Sequence, residues 1–271
     1  SPRSDLRLSR GDRTRFATSV IVRSRINAAW HRKMLLVETA IAAEGARVAL
    51  VVPVGTGAAR GRLAVHCSTM FERVPVLAPG RVRCVGEAVA LVAAATAEAA
   101  EEGAAKVAVK YEVLPSITRP EDALLPEAPL LHEKGNLLFE MNIRKGDIRE
   151  GFRDADAVVE RTYTTTWVEH AYLEPDAGIS YLDEEGRITV VCPTQNVHHD
   201  QRDVASVLGL PAARVRIIQS ATGGGFGGRL DITVQCLLSL AVFHLKRPAR
   251  IVYPREEVFQ ATAKRHPLKI R

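Results

Sequence analysis

Residues 231–246, Asp-Ile-Thr-Val-Gln-Cys-Leu-Leu-Ser-Leu-Ala-Val-Phe-His-Leu-Lys, read as a helix that is apolar almost all round. Such a helix needs nonpolar neighbours on every side. No apolar run in the chain approaches the ~20 residues that crossing a bilayer takes, so this helix is expected inside a protein core and no membrane span is expected. The sequence around it supplies strands. Val215–Gln219 precedes the helix, Arg247-Pro248 stops it, and Ala249–Tyr253 follows as a further strand. Upstream, Ile179–Leu182 and Ile188–Val191 flank Glu184-Glu185-Gly186-Arg187, a hairpin signal. A second helix is expected from about His199 to Leu208, closed by Gly209 with Pro211 beyond it.

The first half of the chain has its own pattern. Residues 48–54 and Val82–Val92 read as strands, with a Gly/Ala/Arg loop between them. Thr96–Lys106 is rich in Ala and Glu, with Thr96 placed to cap it and glutamates near its N-terminal half. Val107–Val113 then alternates as a strand up to Pro115, which makes a β-α-β unit. A stretch carrying Pro115, Pro120, Pro126 and Pro129 with long polar runs reads as a linker. A short helix is expected near Asp147–Asp154 and a Thr/Tyr-rich strand over Val158–Trp167. The fold class is α+β (mixed α/β). The expected division is a first domain over residues 1–120, a linker over 121–145 and a second domain over 146–271.

Charge and cysteine narrow the function classes. The net charge of +6 invites a nucleic-acid reading, but residues 1–33 hold nine basic groups against two acids and the rest is nearly neutral. That basic arm lacks aromatic interleaving beyond Phe16 and Trp30 and matches no binding module, so it reads as a solvated or partner-docking arm, with no nucleic acid expected. No secretory signal opens the chain, and a cytoplasmic location is expected. Cys67, Cys84, Cys192 and Cys236 lie far apart with no C-x-x-C pair, which argues against a zinc or iron–sulfur site in this chain. Cys192 and Cys236 are expected as small core residues.

One segment points to a ligand. Gly223-Gly224-Gly225-Phe226-Gly227-Gly228 follows a strand and precedes the apolar helix. It satisfies G-x-G-x-x-G, the dinucleotide fingerprint. A Rossmann half needs more alternating strands and helices after it than the remaining residues provide, and the strand that should end in a ribose-binding acid runs instead into Pro254-Arg255. The bare loop leaves two readings open. It is either a tight turn packed against another backbone, or a nest of backbone amides at a helix start that receives an anionic group.

Six motifs occur in order: Val85-Gly86-Glu87-Ala88-Val89-Ala90, Tyr111-Glu112-Val113-Leu114-Pro115, Glu169-His170-Ala171-Tyr172-Leu173-Glu174-Pro175, Thr194-Gln195-Asn196-Val197-His198, the glycine loop, and Arg255-Glu256-Glu257. Together they resemble the molybdenum hydroxylases, the family of xanthine dehydrogenase, aldehyde oxidase and carbon monoxide dehydrogenase, in the molybdopterin-binding subunit. The resemblance runs from about Arg81 to Arg271. It implies a hammerhead-like α/β domain followed by the first part of a molybdopterin-binding domain. It also implies hydroxylation of an aldehyde or N-heterocycle with water as the oxygen source.

By the same resemblance, Gln195 and Phe226 belong to the catalytic site, and Gln195, Gly224, Gly225, Phe226, Gly227 and Gly228 bind the cofactor. Gln195 would hydrogen-bond an oxygen ligand of molybdenum, and Phe226 would border the substrate pocket. The metal is held by the pterin dithiolene, so no protein ligand is required; a dinucleotide form of the pterin is compatible. Glu169, His170 and Glu174 read mainly as structural hydrogen-bonders, His198 and His199 as a polar helix start, and Arg255-Glu256-Glu257 as a salt-bridge turn. Leu230 stands where purine-oxidising members carry Glu, which argues against a xanthine-type pocket. The family's glutamate general base lies beyond the equivalent of Arg271, so the chain is expected to be a fragment or separately encoded part. Expected partners are a second molybdopterin-binding chain, subunits carrying [2Fe-2S] clusters and FAD, and a small-molecule substrate. A non-catalytic assembly or binding subunit is the alternative, and a nucleotide-binding protein a distant one.

Overall fold

The computed structural model describes residues 17–23, 34–41, 48–53, 66–68 and 73–271, apart from Pro79, Glu133 and Lys134; for the segments before Pro75, and for Lys110, the backbone alone is described. The strands are β1 (Ala17–Arg23), β2 (Met34–Ile41), β3 (Val48–Pro53), β4 (His66–Ser68), β5 (Arg73–Pro75), β6 (Arg81–Val82), β7 (Ala88–Ala94), β8 (Val107–Leu114), β9 (Tyr163–Thr164), β10 (Ala177–Leu182), β11 (Ile188–Cys192), β12 (Val215–Gln219), β13 (Ala249–Val252) and β14 (Lys269–Ile270). The helices are α1 (Ala97–Ala105), α2 (Pro120–Ala123), α3 (Ile148–Arg153), α4 (Val197–Leu208), α5 (Gln235–Leu245) and α6 (Arg255–Ala261).

Among the described residues, seven strands form one sheet in the order β12-β11-β10-β13-β1-β7-β3. The pairs β11–β12 and β1–β13 are parallel, and the others are antiparallel. A separate sheet has the order β6-β2-β8, and β4–β5 and β9–β14 are two-stranded ladders. Strand β7 is buried along its whole length. Its consecutive residues Ala90 and Leu91 join different apolar clusters, so both faces are covered, which accounts for a continuous apolar run where a half-exposed strand would alternate. Helix α5 packs on β10, β11, β13 and α4, and its residues Gln235–Val242 are all buried, in agreement with the all-round apolar reading.

The caps are as the sequence indicated. Thr96 accepts a hydrogen bond from the Ala99 amide at 3.2 Å to open α1, and Gly209 closes α4 in the left-handed conformation, φ 63°. Helix α4 begins two residues earlier than expected because Asn196 supplies the cap, its side chain accepting from the His199 amide. Cys192 and Cys236 are buried and in no disulfide.

Five expectations are corrected. The segment Val82–Val92 is two strands, β6 and β7, because Gly86 turns the chain with φ +93°. Strands β7 and β8 flank α1 but lie in different sheets, so they do not form a β-α-β unit. Over Val158–Trp167 only Tyr163–Thr164 pair, with β14, since β propensity without a neighbouring strand does not make a sheet. Helix α5 starts at Gln235 and not at Asp231; the Thr233 amide is taken by Gln235 Oε1 at 2.8 Å. Within the basic arm, Ala17–Arg23 is a strand between β13 and β7, whereas the remainder of the arm lies outside the described residues. No described helix is long and apolar enough to cross a membrane.

Candidate functional site

Two parallel neighbours, β11 and β12, end side by side, with Cys192 opposite Gln219. The carboxyl ends of adjacent parallel strands are where open sheets place their ligands, because the loops leaving them diverge above the sheet edge. Pro193-Thr194-Gln195 leaves β11 and enters α4 at its Asn196 cap, and the glycine loop begins at Gly223, four residues after the end of β12 at Gln219. The two exits are tied together: the Ser220 amide donates to the Cys192 carbonyl at 3.0 Å, and Gln219 Nε2 donates to the Thr194 carbonyl at 2.8 Å.

This brings Gln195 and the glycine loop into direct contact. Gln195 Oε1 accepts from the amides of Gly227 at 3.1 Å and Arg229 at 3.2 Å, while the Gln195 amide donates to the Arg229 carbonyl at 3.1 Å. With the oxygen held by two amides, Nε2 is the donor end left over, and no partner for it exists among the described residues. Side-chain room is also used up. A Cβ on Gly225 would sit 2.5 Å from Gln195 Oε1, and one on Gly223 would sit 2.7 Å from the Glu174 Cβ. Gly224 (φ +102°), Phe226 (φ +51°) and Gly227 (φ +93°) are left-handed, so the loop coils tightly with a non-glycine residue in a costly conformation.

The amides of the loop divide into two sets. Those of Gly223, Gly227 and Gly228 are occupied by Glu174 Oε2, Gln195 Oε1 and the Gly225 carbonyl. Those of Gly224, Gly225 and Phe226 have no acceptor among the described residues. Three consecutive free N–H groups beside an unpartnered carboxamide NH2 make a cluster of donors suited to an acceptor-rich or anionic group. Phe226 projects beside them, 77% exposed. The cluster is not at a helix start, because residues 229–234 separate Gly228 from α5; the dinucleotide geometry, with pyrophosphate on a helix N-terminus, is therefore absent.

Beneath the loop lies a network that spacing in the sequence did not reveal. Arg229 is 1% exposed. Its Nη1 donates to Glu174 Oε2 at 2.8 Å and to the Gly224 carbonyl at 3.0 Å, its Nη2 donates to the Glu174 carbonyl at 2.7 Å, and Nε lies 3.6 Å from Asp176 Oδ1. The guanidinium stacks 4.3 Å over the Tyr172 ring, and Tyr172 donates its phenolic proton to Asp176 Oδ2 at 2.5 Å. Burial pushes the Glu174 carboxyl up, but the hydrogen bonds from Arg229 and the Gly223 amide outweigh it and hold the group below its ordinary value. Burial, then the bond to Asp176, raises the Tyr172 hydroxyl, which stays protonated. The nearest sequence signal was an arginine directly after a glycine run, but its carboxylate partners lie more than fifty positions away.

The remaining candidates fall into place around this centre. Glu174 is a structural hydrogen-bonder, as read. Glu169 pairs with Lys264 at 2.6 Å. His170 packs on the loop from the other side, its Nδ1 only 2.8 Å from where a Cβ on Gly228 would be. His198 and His199 lie in the first turn of α4, and His199 pairs with Asp203 at 3.4 Å. Arg255 opens α6 and clamps the 172–173 backbone, donating to the carbonyls of Tyr172 at 2.9 Å and Leu173 at 2.6 Å. Leu230, half exposed, offers no acceptor beyond the loop. No group of three or more His, Cys, Asp or Glu among the described residues could hold a metal ion.

Residues 131–271 match the family model of the molybdopterin cofactor-binding domain, and residues 19–115 match that of the aldehyde oxidase and xanthine dehydrogenase a/b hammerhead domain. The nicotinate dehydrogenase large molybdopterin subunit of Eubacterium barkeri is 44% identical over 194 residues, covering 72% of this chain and 46% of that subunit. The xanthine dehydrogenase molybdenum-binding subunit of Escherichia coli O157:H7 is 35% identical over 190 residues, 70% of this chain and 25% of that protein. The aldehyde oxidoreductase from Desulfovibrio desulfuricans ATCC 27774 shares the fold with a TM-score of 0.81 at 24% identity, over 94% of this chain and 29% of that one. The chain thus spans less than half the length of these relatives.

Proposed function

The chain belongs to the aldehyde oxidase and xanthine dehydrogenase family of molybdenum hydroxylases, and we propose that it builds one wall of the molybdenum–molybdopterin site in an oxidoreductase that hydroxylates an N-heterocycle other than a purine. The observation that carries this reading is the donor cluster: Gln195 Nε2 beside the free amides of Gly224, Gly225 and Phe226. A molybdenum–pterin group presents oxygen and phosphate acceptors, which is the chemistry those donors lack, so the residues present fit the group. When bound, it supplies two-electron oxidation of the substrate carbon with oxygen taken from water.

The chain's own residues then bind and orient. Gln195, its oxygen fixed by Gly227 and Arg229, offers Nε2 in a set direction and does not have to reorganise when an acceptor arrives. Phe226, held out by its left-handed backbone, gives a flat apolar surface against which an aromatic ring stacks and which keeps water away from the reacting carbon. Leu230, at the loop's far end, supplies apolar contact without the carboxylate that a purine would use. The N-heterocycle class is supported by the nicotinate dehydrogenase relative, at 44% identity. The partners this reading calls for are a second molybdopterin-binding chain and subunits carrying iron–sulfur clusters and FAD.

The test is metal and pterin analysis of the complex as isolated, followed by Gln195→Ala in the same complex. Molybdenum and pterin in equal amounts are expected, with turnover lowered by about 10- to 1,000-fold in the variant; because Oε1 also holds the Gly227 and Arg229 amides, stability is expected to fall by about 1–3 kcal/mol without loss of assembly. A complex that is stable and active in assembly but free of molybdenum would establish the non-catalytic alternative.

A further inference from the structure

Arg229 touches both halves of the donor cluster, and we infer that it is the positioning residue of the loop, with Glu174 as its second anchor. Its main chain holds one half: the N–H donates to Gln195 Oε1 and the carbonyl accepts from the Gln195 amide. Its side chain holds the other half, through the Gly224 carbonyl and through Glu174, whose Oε2 also takes the Gly223 amide. Gln195 and the start of the glycine loop are therefore fixed to the same residue from opposite directions.

Burial makes this arrangement stiff. A guanidinium taken out of water is tolerated only where carboxylates and carbonyls compensate it; here Glu174 and the 174 and 224 carbonyls take the Nη hydrogens, and Asp176 Oδ1 faces Nε at 3.6 Å as an ion pair without a hydrogen bond. The planar fork reaches Glu174 Oε2, the Gly224 carbonyl and the Glu174 carbonyl at once from two separate nitrogens, an arrangement that a single ammonium lacks. Tyr172 closes the remaining face of the guanidinium. The loop being held is under strain, with Phe226 in the left-handed region. Without the clamp it relaxes, and the three free amides and Gln195 Nε2 lose their common orientation. Arg229 touches neither substrate nor cofactor in this role; it acts through the groups that do.

The inference rests on the cofactor reading above, and the experiment separates the two. In the assembled enzyme, Arg229→Lys keeps the charge and loses the fork. Amide hydrogen exchange over residues 220–230 is measured in enzyme stripped of cofactor, and molybdenum content, kcat and KM are measured in loaded enzyme. Faster loop exchange, with kcat or molybdenum content lowered about 10- to 100-fold and KM changed far less, is expected. Wild-type exchange together with wild-type kcat and molybdenum content would overturn the inference. If Arg229→Lys fails to assemble, the partly exposed Glu174 carries the same test. Glu174→Gln keeps an acceptor for the Gly223 amide and should retain most of the loop protection that Glu174→Ala loses; both variants at wild-type protection would overturn it. A wild-type enzyme without molybdenum overturns the cofactor reading and leaves the exchange comparison standing.

Discussion

Asp200 and Glu174 are two carboxylates whose surroundings push them in opposite directions. Asp200 sits in the first turn of α4 with no exposed surface; its Oδ2 takes a hydrogen bond from Gln235 Nε2 at 3.2 Å and its Oδ1 takes none among the described residues. Burial raises it above its ordinary value of 3.8, against the opposing pull of the nearby Thr194 hydroxyl, the Gln235 hydrogen bond and the His199 charge, while Asp203 adds to the rise. The folded chain therefore binds this proton more tightly than the unfolded chain does. By linkage, stability is lost as pH rises from 3.8 through the raised value. Asp200→Asn removes that loss, so its Tm relative to the parent should climb across the weakly acidic range and then level off. A pH-independent Tm difference between about pH 4 and about pH 8 would contradict the assignment. Glu174 has the reverse sign, because its lowered value makes its contribution present above 4.5 and lost on acidification. At neutral pH it is ionised, as its pairing with Arg229 requires.

At the scale of elements, the turn between β6 and β7 is held against α6 by the absence of a side chain. A Cβ on Gly86 would lie 1.9 Å from the Gln260 carbonyl oxygen and 2.6 Å from its carbon, and the residue has φ +93°. Both facts oppose any side chain, and the atoms met are backbone, which cannot swing aside. Gly86→Ala should cost about 1–3 kcal/mol from overpacking, with a further strain cost of about 1–3 kcal/mol, read as a lower midpoint in urea at unchanged slope. A midpoint equal to the parent's would show that the turn and α6 separate freely. Inside the sheet the fit is softer: a Cβ on Gly178 of β10 would stand 2.9 Å from Leu238 Cδ1, a side-chain end that can shift, and 3.1 Å from the Val191 carbonyl oxygen. The caps Thr96 and Gly209 act locally and mark their helices in the sequence; Asn196 acts as locally, although the sequence reading began α4 two residues later. The close approaches of Gly86 and Gly178 join residues far apart in the chain and leave no local mark.

For the whole molecule, one sheet and one core run across segments that look separate in the sequence. Strands β1, β7 and β3 continue the sheet of β10–β13 through the parallel β1–β13 pair. Leu77, Ala88 and Leu91 lie in the same apolar cluster as Leu237, Leu238, Ile251 and Val258. A shared core couples the unfolding of its parts. Calorimetry should therefore give a single transition with matching calorimetric and van't Hoff enthalpies; two resolved transitions would mean that the β1–β13 seam opens independently. The exposed apolar side chains gather elsewhere, over Ile143, Ile148, Phe152, Val158, Val159 and Tyr163, where only the short β9–β14 ladder is paired.

The sequence by itself determined what depends on neighbours along the chain: the apolar α5, the capped α1 and α4, the β10–β11 hairpin, and the order of motifs that carries the family resemblance with Gln195 and Phe226 in it. Their signals are periodicity, caps and turn residues, all of which act over a few positions. Only the tertiary structure decided which strands share a sheet, why Val158–Trp167 stays mostly unpaired, and where the glycine loop stands relative to α5. It also decided the pairing of Arg229 with Glu174 and Asp176, and the meeting of Gln195 Oε1 with the Gly227 and Arg229 amides. The physical reason is the same in each case. A buried charge or an unpaired backbone group must find its partner in three dimensions, and that partner is chosen by packing and not by spacing.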